Sequence, residues 1–105
     1  MTAFFAGINV LFLDPHLSRA ALWRASGTGA GVPVRIIKSA PDDEITWRDV
    51  RSRVPTVFID VRVSEVAALS KGDTFEIAGD GTYEVVGAPS RDIERLVWKA
   101  EARVR

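Results

Sequence analysis

The 105-residue chain has no cysteine, a single histidine and no net charge, with fourteen Lys and Arg against fourteen Asp and Glu. Each shortage excludes something. Without cysteine there are no disulfides, no thiolate nucleophile and no thiolate-held zinc, which fits a protein made in a reducing compartment. With His16 alone, histidine-based metal sites and acid–base triads have too few members, and His16 after Pro15 reads as a local capping or packing residue. With charge balanced, net charge gives no argument for a nucleic-acid scaffold or for a polyacidic tail. No apolar run approaches roughly 18 residues: the opening MTAFFAGINVLFLDPHL lacks a basic start and is broken at Asp14-Pro15, so neither a signal peptide nor a membrane span is expected.

What is present is 47% hydrophobic content, enough for one modest core and too little for two. The expected organisation is a single domain, 1–105, with an apolar helical arm over 1–15 and a β-sandwich or barrel over 20–105. Phe4, Phe5, Ile8, Leu11 and Phe12 recur at three- and four-residue spacing, which predicts a short helix over Ala3–Leu13 with these five on one side. Such an apolar helix needs a surface, either of its own domain or of a partner.

After Pro15 the pattern becomes one of strands. AALWRAS and VPVRIIK flank Gly27, Gly29 and Gly31, whose spacing suits a hairpin loop with positive φ. G-x-G-x-G followed by a β-branched, proline-containing strand is not a dinucleotide loop, which needs G-x-G-x-x-G and a helix. Asp42, Asp43 and Glu44 form a solvated turn without the alternating ligand register of a calcium loop. The ITWRDVRSR segment is expected to be a short edge strand. Its Arg48, Arg51 and Arg53 either discourage sheet aggregation or touch a polyanion.

TVFIDVRV alternates cleanly, with Val57, Ile59, Val61 and Val63 on one side. Phe75 and Ile77 alternate with Thr74 and Glu76, and Tyr83 and Val85 with Glu84, around a Gly79-Asp80-Gly81 turn. In RLVWKAEARVR, Leu96, Trp98, Ala100, Ala102 and Val104 are expected inward. The fold class is therefore mainly β: a small sandwich or barrel of about six to seven antiparallel strands after one short N-terminal α-helix. Trp23, Trp47 and Trp98 fall on different strands and read as core or half-buried residues, since the basic stripe of a single-strand-binding barrel is not evident.

VSEVAALSKGDTFEI, Val63 to Ile77, looks at first like a catalytic loop. Asp73 and Glu76 lie an odd number of positions apart on a strand and so point to opposite faces. The segment reads instead as a crossover in which Val66 and Leu69 cap the core. No catalytic, cofactor or metal residues are assigned, and an enzyme is not expected. Charge is unevenly spread: Arg19 to Arg62 holds eight bases and five acids, Ser64 to Ser90 one base and five acids.

The ordered set Val61-Arg62-Val63-Ser64-Glu65-Val66, Lys71-Gly72-Asp73-Thr74, Gly81-Thr82-Tyr83-Glu84-Val85, Pro89 and Asp92, then Leu96 and Trp98, resembles the head–tail joining (head–tail attachment) proteins of lambda-like bacteriophages and of their prophage and gene-transfer-particle relatives. The likeness is good over Pro55 to Arg103 and looser before it. It implies a structural virion protein of the neck, made in the bacterial host cytoplasm. Such a protein is a monomer when free and a homo-oligomeric ring, of six copies, in the particle. Portal or connector proteins and tail proteins would be its partners, and DNA would pass without sequence-specific contact. Arm and loops would carry assembly: Phe4, Phe5, Ile8, Leu11, Phe12, Gly27, Gly29, Gly31, Arg48, Arg51 and Glu65. The alternatives are a neighbouring neck component, such as a tail terminator or connector subunit, and a single-strand nucleic-acid-binding barrel.

Overall fold

A computed structural model describes residues 3–40, 56–92 and 94–105. Helix α1 (Ala3–Leu13) precedes strands β1 (Arg19–Arg24), β2 (Val32–Ser39), β3 (Thr56–Arg62), β4 (Thr74–Ile77), β5 (Gly81–Val85), β6 (Ser90–Arg91) and β7 (Val97–Val104). The sheet order β3-β2-β1-β4-β5-β7 is closed by antiparallel pairing of β3 with β7, from Thr56 opposite Arg103 to Arg62 opposite Val97. Of the two expected architectures the chain thus adopts the barrel. The two-residue β6, which the alternation pattern did not disclose, lies beside β7.

Alternation fills the interior. Ala21, Val34, Ile36, Ile59, Val61, Phe75, Ile77, Tyr83, Val85, Ala100 and Ala102 are buried, one set of side chains from each long strand. Small alanines beside Ile and Phe let a narrow barrel close without a channel. Val66 and Leu69, from the segment between β3 and β4, are buried against the same core, as the crossover reading requires. The Trp98 indole N–H donates to the Val66 carbonyl at 2.8 Å, fixing that cap to β7.

Three local expectations need correction. The first strand stops at Arg24, because Ser26 takes φ 57° and Ala25–Gly27 form a single 3₁₀ turn. Thr74, read as facing out, is buried. It lies beneath the β1–β2 loop, so close that a Cβ on Gly27 would sit 3.4 Å from its methyl group. Val104, read as inward, is 55% exposed, because it lies beyond the Thr56–Arg103 end of the β3 ladder. The expected ITWRDVRSR edge strand and Trp47 lie outside the described residues.

Pro33 within β2 has a consequence for the barrel wall. The Arg35 backbone N–H points away from β1 and is met by the Glu65 carboxylate at 3.0 Å rather than by a strand. Pro33, two residues earlier, presents the same side, so its missing N–H falls on an edge where no ladder donor is needed. The edge is thereby closed by a side chain on one residue and by chemistry on the other.

Asp60 shows what a charged group on this wall costs. It stands on the outer side of β3 between Ile37 and Lys99, and one of its carboxylate oxygens is buried without a hydrogen-bond donor. Burial pushes its carboxyl above the usual carboxylate range, against a smaller opposing pull from Lys99. Between its ordinary value and this raised one the folded chain holds more protons than the unfolded chain. Ionising this buried carboxyl therefore lowers stability as pH rises through that window and costs most above it. Asp60→Asn should accordingly raise stability at pH 7 by about 1 kcal/mol or less, because the site is partly screened. The gain should shrink as pH falls to 4. Denaturant midpoints of both proteins at the two pH values check this, and an equal midpoint at pH 7 would mean that Lys99 already compensates the charge.

Candidate functional site

Helix α1 carries no charged residue, and the one-sided arrangement expected from its spacing needs correction: apolar residues run around the axis, with Phe12 buried and Leu11 exposed. Its end is set by Asp14. The Asp14 N–H returns to the Leu11 carbonyl, its own carbonyl accepts the N–H groups of Leu17 and Ser18, and its carboxylate accepts the His16 N–H. His16 is exposed and engaged only through that backbone group. With no stripe to orient it, the helix is placed by specific contacts.

Those contacts form a continuous belt. Asn9 accepts a hydrogen bond from Arg62 at 3.0 Å, and the Arg62 guanidinium lies 5.3 Å from the centre of the Phe12 ring. The same guanidinium reaches Glu65 at 3.0 Å. Glu65 in turn caps the Arg35 N–H, and the Arg35 side chain donates to the Ser18 hydroxyl and carbonyl. Asn9, Arg62, Glu65, Arg35 and Ser18 thus tie the helix and the turn after it to β2 and β3. Phe12 is only 2% exposed, yet it packs outside the barrel core.

The opposite side of the arm has no such cover. Val10 is 68% exposed and Leu13 66%, with Leu11 and Leu17 also exposed. These are four of the six large exposed hydrophobic residues among the described ones, so unpartnered apolar surface is concentrated on and just after α1. A helix held by polar contacts on one side and bare aliphatic on the other is suited to receive another surface.

The other assembly candidates fall in different places. Ile8 is half-buried, and Leu11 lies on the exposed side. The side chains of Phe4 and Phe5, and Arg48 and Arg51 entirely, lie outside the described residues. Gly27, Gly29 and Gly31 all take positive φ, as the loop reading required. The loop itself is tied down: the Ser26 N–H donates to Asp73 and Arg24 donates to the Gly29 carbonyl. Glu65 is half-buried and committed to Arg62 and Arg35.

Asp73 is the residue the sequence reading undervalued. It is buried and Glu76 is exposed, so the two acids do point apart. The Asp73 carboxylate collects three donors: the Ser26 N–H at 2.9 Å, the Ser70 N–H at 3.0 Å and the Trp23 indole N–H at 3.1 Å. It joins the β1–β2 loop, the crossover and β1 at one point. The local signal was Ser70-Lys71-Gly72-Asp73, an Asp placed to accept from a backbone N–H three residues back.

Part of the charge on the barrel wall is paired within the chain. Asp80, in the β4–β5 turn, binds Arg19, Lys38 and the Tyr83 hydroxyl. The hydrogen bond from Lys38 holds the Asp80 carboxyl below the usual carboxylate range, and the same bond raises the Lys38 ammonium. The stability this lends is present above the ordinary carboxylate value and is lost as pH falls through the lowered one, opposite in sign to Asp60. Arg24 pairs with Glu76 at 2.8 Å. Among the described residues no three His, Cys, Asp or Glu side chains gather as a metal site would require, and no helix is long and apolar enough to cross a membrane.

Beside the belt, an open groove of about 480 Å³ runs over the outside of β2, β1 and β4. Ala20, Leu22, Pro33 and Ala78 contribute to its apolar surface, and Arg35, Glu65 and Glu76 bound it.

A model of the family described as Phage Head-Tail Attachment protein matches residues 1–102, which takes in both the arm and the barrel. No curated protein matches the chain.

Proposed function

Since the chain belongs to the phage head–tail attachment family, and is by that membership a structural component of the virion neck, we propose that it joins DNA-filled heads to tails as a ring of about six copies. The observation that carries this reading is the arm: an uncharged helix, clamped to its own barrel through Asn9 and Phe12, that leaves Val10, Leu11 and Leu13 open for contact. A clamped arm presents its apolar side in a fixed position, so docking costs little ordering entropy. Free subunits are monomers made in the host cytoplasm, and they assemble on the portal or connector of a filled head, to which the tail then binds. DNA passes through the ring without base-specific contact. Arg19, Arg24, Lys38 and Arg62 are each held by an acid of the same chain.

The test is complementation. Disrupting the gene should yield DNA-filled heads and finished tails that remain separate, and adding the purified protein should join them. Empty heads, or tails of irregular length, would assign the chain to a connector or tail-terminator step instead.

A further inference from the structure

Among the described residues, two buried side-chain atoms have no hydrogen-bond partner, and they belong to neighbours on one strand. One is an acceptor, a carboxylate oxygen of Asp60, and the other a donor, Nε of Arg62. Residues two apart on a strand share a face, with Cα atoms about 6.5 Å apart, which an arginine side chain spans with ease. The two stay apart because the guanidinium is drawn the other way. Its Nη1 donates to Asn9 on α1 and its Nη2 to Glu65 in the turn after β3, both at 3.0 Å. The other described groups around Asp60 do not replace it. Lys99, across from it on β7, lies 5.3 Å from the centre of the Phe58 ring and pulls on Asp60 only through space. Ile37 stands across on β2, and Arg35 beyond it is committed to Ser18. Glu101, opposite Phe58, has the same sign as Asp60, and α1 carries no charge.

We propose that Arg62 is a two-position latch: with α1 seated it holds Asn9 and Glu65, and with α1 lifted it turns back along β3 to pair with Asp60. The exchange strands neither acid. Glu65 keeps the Arg35 N–H and its side chain is 26% exposed, so water replaces Arg62 there, whereas the buried Asp60 oxygen gains the donor it lacks. Ionised Asp60 therefore competes with the arm for Arg62, and protonated Asp60 does not. The seated form dominates in the free subunit because Arg62 there has Asn9, Glu65 and the Phe12 ring together. The sign of the pH dependence follows. Asp60 binds its proton more tightly with the arm seated, so the grip on α1 weakens as pH rises through the Asp60 range, in the direction its raised carboxyl requires. The latch is a property of the single chain and stands apart from the joining function.

Amide hydrogen exchange on the full-length free subunit tests it, with protection taken relative to unfolded-chain rates at each pH. At pH 7, Asp60→Asn should raise the protection of residues 7–13 of α1 about five-fold or more beyond any rise in β3 and β7. That excess should shrink as pH falls to 4. Glu65→Gln, which weakens the seated partner, should lower α1 protection by about five-fold relative to the barrel strands, and adding Asp60→Asn should restore most of the loss. If α1 gains no more than the barrel strands in Asp60→Asn, Asp60 is only a buried charge and the latch is overturned. A Glu65→Gln loss of the same size with Asp60 present or replaced would overturn it too, since the two acids would then not share Arg62.

Discussion

Asp73→Ala is expected to destabilise the fold by about 3–5 kcal/mol, because three donors lose their acceptor at once in a buried site. Each unsatisfied buried donor costs roughly 1–3 kcal/mol, and the losses overlap because the loop can relax. Against a total stability of about 5–15 kcal/mol this is a large share, worth a melting-temperature drop of about 15–30 °C. Asp73→Asn keeps the shape but turns an amide N–H₂ toward donors, so it should recover less than half of the loss. Glu76→Ala, three residues on and exposed, should change stability by no more than about 0.5 kcal/mol. Thermal melts followed through Trp23, whose indole loses its partner only in the Asp73 variants, separate these cases. A melting point within a few degrees of the parent for Asp73→Ala would mean that the three bonds contribute nothing net.

That prediction marks where the sequence stopped being legible. Alternation located β3, the β4–β5 hairpin and most of β7, because a strand with one buried face repeats every two residues whatever its partners. It also placed Val66 and Leu69 as caps, since two apolar residues in a polar crossover have few other places to go. Asp73 was out of reach because two of its donors lie 47 and 50 residues earlier, and no local pattern records such a meeting. Barrel and sandwich have the same alternation, and only the β3–β7 pairing across the chain decides between them. The arm's orientation was hidden for the opposite reason. A helix apolar on every side has no preferred face, so Phe12 went inward and Val10 outward by virtue of Arg62, which sits 53 residues from its partner Asn9.

The pattern also shows why the Lys71-Gly72-Asp73-Thr74 stretch is diagnostic without being catalytic. Gly72 takes φ 94°, Asp73 gathers the loop donors, and Thr74 lies buried under the β1–β2 connection. All of these residues hold the scaffold, and none is free to act on a partner. The proposed assembly surface lies elsewhere, on exposed residues of the arm.

Val10 and Leu13 are those residues, and placing charge on them tests the account most directly. The double variant Val10→Asp, Leu13→Asp is exposed in the free subunit, so its melting temperature should stay within a few degrees of the parent. In an assembled neck it would bury unpaired carboxylates against an apolar partner surface, a cost of several kcal/mol per contact. The measurement is the yield of joined particles when purified protein is added to DNA-filled heads and finished tails. A folded double variant that joins about 100-fold less efficiently or worse is the predicted result, and a folded double variant that joins as well as the parent would contradict the role assigned to the arm.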